Sequence, residues 1–477
     1  MKQTYRSTND LSCNFLKHWQ QIVPHDFFTV NDISSKLKPI DIPDIIAPYQ
    51  NLSVDERLLV KRKEFNEILS NIKMKSNQNV LYYEILNYLK EKLLLPKPLV
   101  DQRRKMIDQL ENLLNNHKFK CKLQIYGSID AGLAFKDNSD IDVFVNIPNS
   151  RLRCQSLTYL SEENFEEIRD HMREIRRILK NNHEILFPHG VNVETLLNRN
   201  IRVPLLRLTV FSEICEYNEF SEFNPLSIKC DLNINCALGL ANTRLIRLFC
   251  KLDARFMAIA ILVRLWVKNL LPDYLIISPY ASTLLVVFYF QQKSIIPSVD
   301  YLIKHSSNQY RLFTNGCRTD FCTDFNFIKD NFPSSICKEN IHQLFIGFFE
   351  YYSRFDFHKN YICTNTARIL IKNNYPTNIV ELYDPFDLKH NVTRKVNIDQ
   401  LIHHLIQVLN DIIVGVKCSL INDEASGDCD EGTNDCSFDC GSNCETEYGS
   451  VSGNNPGGGF SPIFIMPNDG SRCTKSV

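Results

Sequence analysis

The chain lacks several features that mark secreted and membrane-spanning proteins. Its opening residues, MKQTYRSTNDLSCNF, contain no apolar signal core, and Asp10 is unusual in a transit peptide. The longest apolar run, roughly residues 274–290, is short for a membrane span and is interrupted by Ser278 and Pro279. It favours a buried helix that begins at a Ser-Pro cap. These absences predict no membrane association and residence in the cytoplasm, with the nucleus as the alternative.

Disulfide frameworks and familiar zinc patterns are also missing. The 17 cysteines are scattered, and several fall inside apparent strands or helices, where a free thiol behaves as a small apolar side chain. This usage favours a reducing compartment. Cys429, Cys436, Cys440 and Cys444 lie close together, but their spacing fits no familiar zinc site and no histidine is nearby. We therefore expect no structural metal there.

The chain has no large excess of either charge, but its formal net charge of −1 averages two unlike parts. From Asp423 onward ten acidic residues stand against only Arg472 and Lys475, which leaves 52 basic and 45 acidic residues in the preceding part. A mildly basic body suits a polyanionic substrate without proving one. The acidic segment is rich in Gly, Ser and Asn, which is typical of disorder.

The most informative stretch is residues 126–146, which read YGSIDAGLAFKDNSDIDVFVN. Because strand side chains alternate, Asp140 and Asp142 share one face of the predicted strand, opposite its apolar residues. Carboxylates about 6.5 to 7 Å apart along a strand can converge on two divalent cations about 3.5 to 4 Å apart. In the turn before them, Gly127 lets the backbone approach a phosphate and Ser128 adds a hydroxyl donor. The alternative is an exposed acidic strand edge that follows a tight turn.

This stretch resembles the motif of the nucleotidyltransferase superfamily related to DNA polymerase beta, in which Gly-Ser is followed by a short variable loop and then by Asp-x-Asp. The resemblance implies a third acidic residue on a later strand, for which Asp231 in IKCDLNIN is the candidate. There the polar and apolar residues alternate, as in a strand with one exposed face. The resemblance implies that Asp140, Asp142 and Asp231 are catalytic and bind two Mg²⁺ ions, with Mn²⁺ as the alternative.

A second region, from Cys236 to Phe290, resembles the noncanonical poly(A) polymerases and terminal uridylyltransferases. Asn242 and Thr243 fall at an apparent helix start, where both residue types are common caps. The resemblance implies that they bind the nucleotide, with Asn242 at the ribose. Arg264 and Lys268, at i and i+4 of a predicted helix, point the same way. Their charged groups either extend into solvent or bind the triphosphate of the nucleotide, and the resemblance favours triphosphate binding.

The same resemblance places an aromatic residue at the base. Tyr280 falls at that position, and stacking there is worth about 1 to 3 kcal/mol per base. Pro279 stands where the family usually has a serine, so a side-chain phosphate contact is not expected from it.

The stretch LYDPFDLKHNVTRKV resembles the Asp-Pro-Phe motif of the same family and extends the resemblance over roughly residues 80–410. By local pattern, Asp384 is a helix N-cap followed by a first-turn proline, and Asp387 is its N3 partner. The resemblance implies instead that both contact the base edge. It also implies that His390 fills the space a purine would need, which favours UTP over ATP. A neutral surface histidine is the alternative.

These elements predict an α+β fold, in which a small mixed-sheet nucleotidyltransferase domain packs against a mainly helical poly(A)-polymerase-associated domain. Residues 1–75 are predicted to be a helical extension of unknown role, 76–240 the catalytic domain with its leading helices, 241–420 the helical domain, and 421–477 a disordered acidic tail. If the chain has protein partners, the extension and the tail are where we expect them.

The expected activity is template-independent addition of uridylate from UTP to RNA 3′ ends, with release of pyrophosphate. A poly(A) polymerase that uses ATP and a non-catalytic RNA-binding scaffold on the same fold are the alternatives.

Overall fold

The computed structural model describes residues 54–77, 82–136, 139–148, 150, 162–198, 203–211, 227–234, 236–271, 275–306, 312–333, 337–372 and 377–410. The predicted acidic tail and its four closely spaced cysteines lie outside these ranges. Of the helices in the described ranges, none combines the length and the apolar character that crossing a membrane requires.

Strands are found at the two acidic stretches SDIDVFV and IKCDLNIN, as the sequence predicts. The helices are α1 (Val54–Asn77), α2 (Tyr82–Leu93), α3 (Lys97–Asn116), α4 (Gly127–Ala131), α5 (Glu162–Leu186), α6 (Leu238–Leu252), α7 (Ala254–Leu270), α8 (Pro279–Gln292), α9 (Val299–Lys304), α10 (Phe325–Asn331) and α11 (Ile341–Ser353). The strands are β1 (Lys122–Tyr126), β2 (Ile141–Asn146), β3 (Val191–Leu196), β4 (Leu205–Phe211), β5 (Ser227–Ile234), β6 (Phe313–Thr314), β7 (Cys317–Arg318), β8 (Asn360–Cys363), β9 (Arg368–Ile371) and β10 (Leu382–Tyr383). Residues 398–410 are helical as well.

Five strands form one mixed sheet in the order β1-β2-β5-β4-β3. The β2–β5 pair is parallel and the other three pairs are antiparallel. Along β4 the burial alternates, so that Leu206, Leu208 and Val210 face a core shared with α3 and α5. Alternation of this kind follows from the two-residue period of strand side chains. Strand β3 was not predicted, although Val191 and Val193 alternate with Asn192 and Glu194 and pack against the core.

A second core is built almost entirely from helices. Helix α7 is buried almost throughout its middle, and it packs against α8, α2 and α1. The capped start predicted for α8 is confirmed, because the Ser278 side chain accepts a hydrogen bond from the Ala281 N–H and proline follows it. The small mixed sheet beside a mainly helical core confirms the predicted fold class.

Helix α1, predicted as part of an extension, contributes to the second core. Phe65, Ile68 and Ile72 are at most 3% exposed, and the Phe65 ring lies 6.2 Å from that of Phe345 on α11. Their spacing of three and four residues places them on one helix face. This part of the chain is therefore joined to the helical core by apolar packing.

We expect Phe65→Ala to lower the free energy of unfolding by about 3 to 5 kcal/mol, because it leaves a cavity in that core. Leu59 on the same helix is 69% exposed, so Leu59→Ala is the matched control and should change stability by less than about 0.5 kcal/mol. Urea unfolding of both variants measures the difference. Equal stabilities of the two variants would contradict the packing described for α1.

Candidate active site

Three predicted carboxylates lie on one face of the mixed sheet. Asp142 on β2 is directly opposite Asp231 on the adjacent parallel strand β5, and Asp140 immediately precedes β2. The residues that alternate with them, Ile141 and Val143, are fully buried on the other face. The tertiary structure therefore makes neighbours of side chains that are about ninety residues apart in the sequence.

The carboxylates disfavour one another's ionisation. Burial, together with the charges of Asp231 and Asp140, raises the pKa of Asp142 to about 7. The pKa of Asp140 is also raised, first by burial and then by the charge of Asp231. Negative charge concentrated in this way makes the face a strong attractor of cations.

Arg207 on β4 is a site residue that the sequence analysis did not single out. It lies in register with Asp231, and its Nε and Nη2 atoms donate to Oδ1 and Oδ2 of that carboxylate at 2.8 and 2.7 Å. These two hydrogen bonds raise the pKa of Arg207. The signal was present in RVPLLRLTV, where the arginine alternates with buried leucines, but its partner on another strand could not be read from that stretch.

The residues present suit a hard divalent cation by their chemistry, because all three donors are carboxylates. Within the described ranges, however, no group of three or more His, Cys, Asp or Glu side chains is arranged as a metal-ligand set. Asp231 is instead directed at Arg207.

A second arginine supports the segment before β2. Arg103 on α3 is 6% exposed, and its Nη1 atom donates to the Ser139 carbonyl at 2.8 Å. Burial lowers the pKa of Arg103, while the charge of Asp140 acts in the opposite direction. Arg103 thus fixes the backbone next to the first carboxylate.

Gly127 begins the short helix α4, which also contains Ser128, directly after β1. Its φ is +70°, and a Cβ at this position would overlap the Asp142 carboxylate, so only glycine fits. Its N–H donates to Thr243 Oγ1 at 2.9 Å, and that hydroxyl donates to the Gly239 carbonyl at 2.8 Å. Thr243 thus ties the turn beside the carboxylates to α6.

The predicted helix start at Asn242 and Thr243 is wrong. Helix α6 begins at Leu238, with Ala237 as the residue that precedes it, so both side chains lie in the second turn. There the Thr243 hydroxyl can bond to the carbonyl four residues earlier, which a capping residue does not do. The residue types suggested a cap, but burial in the preceding turn extended the helix.

Asp384 is hydrogen-bonded to two other predicted nucleotide-binding residues. It is 1% exposed, and its Oδ2 atom accepts hydrogen bonds from Asn242 Nδ2 and from the Tyr280 hydroxyl, each at 3.0 Å. Its Oδ1 atom accepts from the backbone N–H groups of Phe386 and Asp387, each at 2.9 Å. One buried carboxylate thus joins α6, α8 and the loop after β10.

The helix-cap interpretation of Asp384 is wrong, because no helix follows it. The chain forms turns over 385–389, and Asp387 accepts from the Lys389 N–H rather than completing a capping box. Local side-chain bonds to the backbone stabilise turns as well as helix starts, which is why the pattern was ambiguous. His390 closes this loop through its backbone: its N–H donates to the Asp387 carbonyl and its carbonyl accepts from the Asp384 N–H, both at 2.9 Å.

Arg264 and Lys268 point the same way from α7, as their spacing predicts. The Arg264 guanidinium and the Lys268 ammonium each lie 5.3 Å from the centre of the Phe135 ring. Arg264 is 7% exposed and donates to the Leu133 carbonyl, so it does not extend into solvent. Burial lowers its pKa to about 10, while the charges of Cys250 and Asp142 oppose that change. The Asp142 contribution places the guanidinium within electrostatic reach of the carboxylates.

The chain matches two family models. Residues 84–251 match the central palm domain described as poly(A) RNA polymerase, mitochondrial-like. Residues 340–390 match the Cid1 family of poly(A) polymerases. The first range contains the carboxylates and all of α6 except its last residue, and the second ends at His390.

Curated relatives include enzymes named for two different nucleotides. The terminal uridylyltransferase cid1 of Schizosaccharomyces pombe is 24% identical over 340 residues, which cover 66% of this chain and 73% of that one. The mitochondrial poly(A) RNA polymerase of Homo sapiens is 25% identical over 294 residues, which cover 59% of this chain and 47% of that one. The chain thus spans less than half of the human relative.

Solved structures share the fold. A crystal structure of mtPAP in complex with ATPgammaS aligns with a TM-score of 0.56 at 18% identity, covering 77% of this chain and 72% of that chain. A crystal structure of the Cid1 poly(U) polymerase aligns with a TM-score of 0.51 at 21% identity, covering 69% of this chain and 92% of that chain. By its two family models and its curated relatives, the chain is similar to the noncanonical poly(A) polymerases and the terminal uridylyltransferases, and it shares their fold.

Proposed function

We propose that this protein adds nucleotides to RNA 3′ ends without a template, and that UTP is its substrate. The observation that carries the proposal is the pairing of Asp142 with Asp231 on adjacent parallel strands, beside Asp140 and against Gly127. In the proposed reaction the RNA 3′-hydroxyl attacks the α-phosphate of the nucleotide. A new phosphodiester forms, and the bond to the pyrophosphate breaks.

Each group of side chains has a proposed task. Asp140, Asp142 and Asp231 would hold Mg²⁺, or Mn²⁺ as the alternative. When bound, such ions lower the pKa of the attacking hydroxyl and neutralise charge on the phosphates. Asp231, which Arg207 holds through both of its carboxylate oxygens, would accept the hydroxyl proton.

The remaining predicted residues would hold the nucleotide. Gly127 and Ser128 offer backbone and hydroxyl donors to its phosphates, and Arg264 and Lys268 supply positive charge on the same side. Tyr280 would stack on the base. The ribose and the base edge would be held by Asn242, Thr243, Asp384 and Asp387. Thr243 would act indirectly, through the hydrogen bond that its hydroxyl accepts from the Gly127 N–H. The hydrogen bonds among these residues support their forming one binding unit.

UTP is favoured over ATP by His390. Its backbone bonds hold it in the same loop as Asp384 and Asp387, where a side chain can limit the size of the base. The relatives include both uridylyltransferases and poly(A) polymerases, so ATP use is the alternative within the family. A scaffold without catalysis is the second alternative. It is disfavoured because three neighbouring carboxylates carry an electrostatic cost that binding alone does not require.

Residence in the cytoplasm, or alternatively the nucleus, remains a prediction. The same holds for partner binding by the N-terminal extension or the tail, and for the division of the chain into four domains.

Removing one carboxylate should abolish transfer. We expect Asp142→Asn and Asp231→Asn to lower kcat by more than the roughly 10- to 100-fold that loss of an outer-shell partner of a metal site usually causes. Primer extension on a labelled RNA measures the rates. Asp108→Asn, an exposed change on α3, is the matched control and should retain activity. Undiminished transfer by a correctly folded Asp231→Asn protein would rule out the proposed site.

Base selection should depend on His390. With each of the four nucleoside triphosphates on one RNA primer, the parent protein is expected to prefer UTP. His390→Ala should raise kcat/KM for ATP relative to UTP, because it frees space for a purine. His403→Ala, an exposed histidine in the 398–410 helical segment, is the control. A parent protein that prefers ATP would favour the poly(A) polymerase alternative. Selectivity unchanged by His390→Ala would remove the role assigned to that side chain.

Cation binding should weaken in acid. A cation must displace the proton that Asp142, with a pKa of about 7, holds below that pH. The apparent Mn²⁺ affinity is therefore expected to fall by up to about tenfold per pH unit between pH 7 and pH 6, and to level off above pH 7.5. Titration calorimetry measures it, with Asp142→Asn as the variant whose residual binding should lose this pH dependence. A flat profile for the parent protein would contradict the role of Asp142.

The raised pKa of Asp142 also affects the pH dependence of folding stability when no cation is bound. A raised carboxyl pKa means that the native state holds a proton that the unfolded chain has released, so stability should fall as the pH rises from about 4 to 7.

A further inference from the structure

Two of the groups proposed to bind the nucleotide approach the three carboxylates at Asp142, which lies on β2. Gly127 is directly beside Asp142, and Arg264 is within its electrostatic reach. The hydrogen bond from Gly127 to Thr243 leads further to α6 and the Asp384 cluster. In phosphoryl transfer the attacking and leaving oxygens are roughly in line. If the triphosphate binds on the β2 side, the acceptor hydroxyl must approach from the opposite side, across β5, β4 and β3.

The face of the sheet on that side is polar and partly exposed. Its strands are in register, so residues opposite one another share this face. One row across it contains Asp231, Arg207 and Glu194, and the next contains Lys229, Thr209 and Asn192. Thr209 and Lys229 are half-buried and Asn192 is exposed, whereas Leu208, Val210 and Cys230, which alternate with Thr209 and Lys229, are buried in the core.

Two cations stand at the start of this face, next to the carboxylates. The positive charges of Lys229 and Arg207 both lower the pKa of Asp140, which places them within electrostatic reach of it. Arg207 is paired with Asp231, but in the described part of the chain no carboxylate lies within ion-pair distance of Lys229. Its neighbours across the strands, Thr209 and Asn192, are neutral hydrogen-bonding residues. A lysine with such neighbours is suited to bind an anionic group of a ligand, such as a phosphate.

We propose that the face of β5, β4 and β3 binds the 3′-terminal segment of the acceptor RNA, with Lys229 as its principal phosphate contact. Arg207 stands between this segment and Asp231, and Thr209 and Asn192 donate hydrogen bonds to the sugar–phosphate backbone. This inference rests on the proposed function, because the direction of approach follows from the in-line reaction. It assigns the acceptor to residues distinct from those that hold the nucleotide.

The test measures RNA binding separately from transfer. A 5′-labelled single-stranded RNA is titrated with the full chain in EDTA at several salt concentrations, and the dissociation constant is read by fluorescence anisotropy. We expect Lys229→Gln to weaken binding several-fold and to reduce the slope of log K against log salt by about 0.7, the value for one phosphate contact on a single strand. Lys229→Arg should restore both. Lys180→Gln, an exposed lysine on α5 on the other side of the sheet, is the matched control and should behave as the parent protein.

Steady-state kinetics give the second readout. Lys229→Gln should raise KM for RNA while leaving KM for the nucleoside triphosphate unchanged. RNA affinity and salt slope equal to those of the parent, or an equal loss in Lys180→Gln, would overturn the inference. A parent protein that binds RNA through Lys229 but transfers no nucleotide would leave this binding face standing and overturn the proposed function instead.

Discussion

The pairing of β2 with β5 determines the chemistry of this molecule, because it sets Asp142 beside Asp231 and concentrates three carboxylates on a half-buried surface. Burial and the like charges of neighbouring carboxylates both disfavour ionisation, and together they raise the pKa values of Asp140 and Asp142. A fold with no use for the charge would gain stability by replacing these residues. Much of the surrounding structure can be understood as compensation for this one constraint.

Positive charge reaches the carboxylates from three different elements. Arg207 comes from the neighbouring strand and bonds to Asp231, Arg103 comes from α3 and bonds to the backbone before Asp140, and Arg264 comes from the helical core. Each arginine is held by fixed hydrogen bonds, so its charge is oriented before any substrate arrives. Preorganised charge of this kind costs no rearrangement at the moment of reaction.

Two hydrogen-bond hubs join the sheet to the helical core. Thr243 connects α6 to the Gly127 turn, and Asp384 connects α6 and α8 to the loop that carries His390. The residues assigned to the phosphates and those assigned to the base are therefore linked through a single helix. Such a link allows the two halves of a nucleotide to be recognised at a fixed separation, which in turn constrains where an acceptor can enter.

The sequence by itself determined much of this architecture. Alternation in SDIDVFV and in IKCDLNIN predicted two strands with acidic outer faces, the Ser-Pro pair predicted the start of α8, and the spacing of Arg264 and Lys268 predicted their common direction. These features succeeded because each depends on a local period or a local cap. The same local rules failed at Asn242 and Asp384, where a cap-like residue type serves a long-range hydrogen bond instead. Strand β3 was missed although Val191 and Val193 alternate with polar residues.

Only the tertiary structure decided which residues meet. Arg207 and Asp231 are 24 positions apart, Asn242 and Asp384 are 142 apart, and Gly127 and Thr243 are 116 apart. No local pattern encodes such partners, because strand order and register arise from the burial of whole faces against α3, α5 and the helical core. The residue types fixed what chemistry was available, and the packing of the sheet fixed where that chemistry could act.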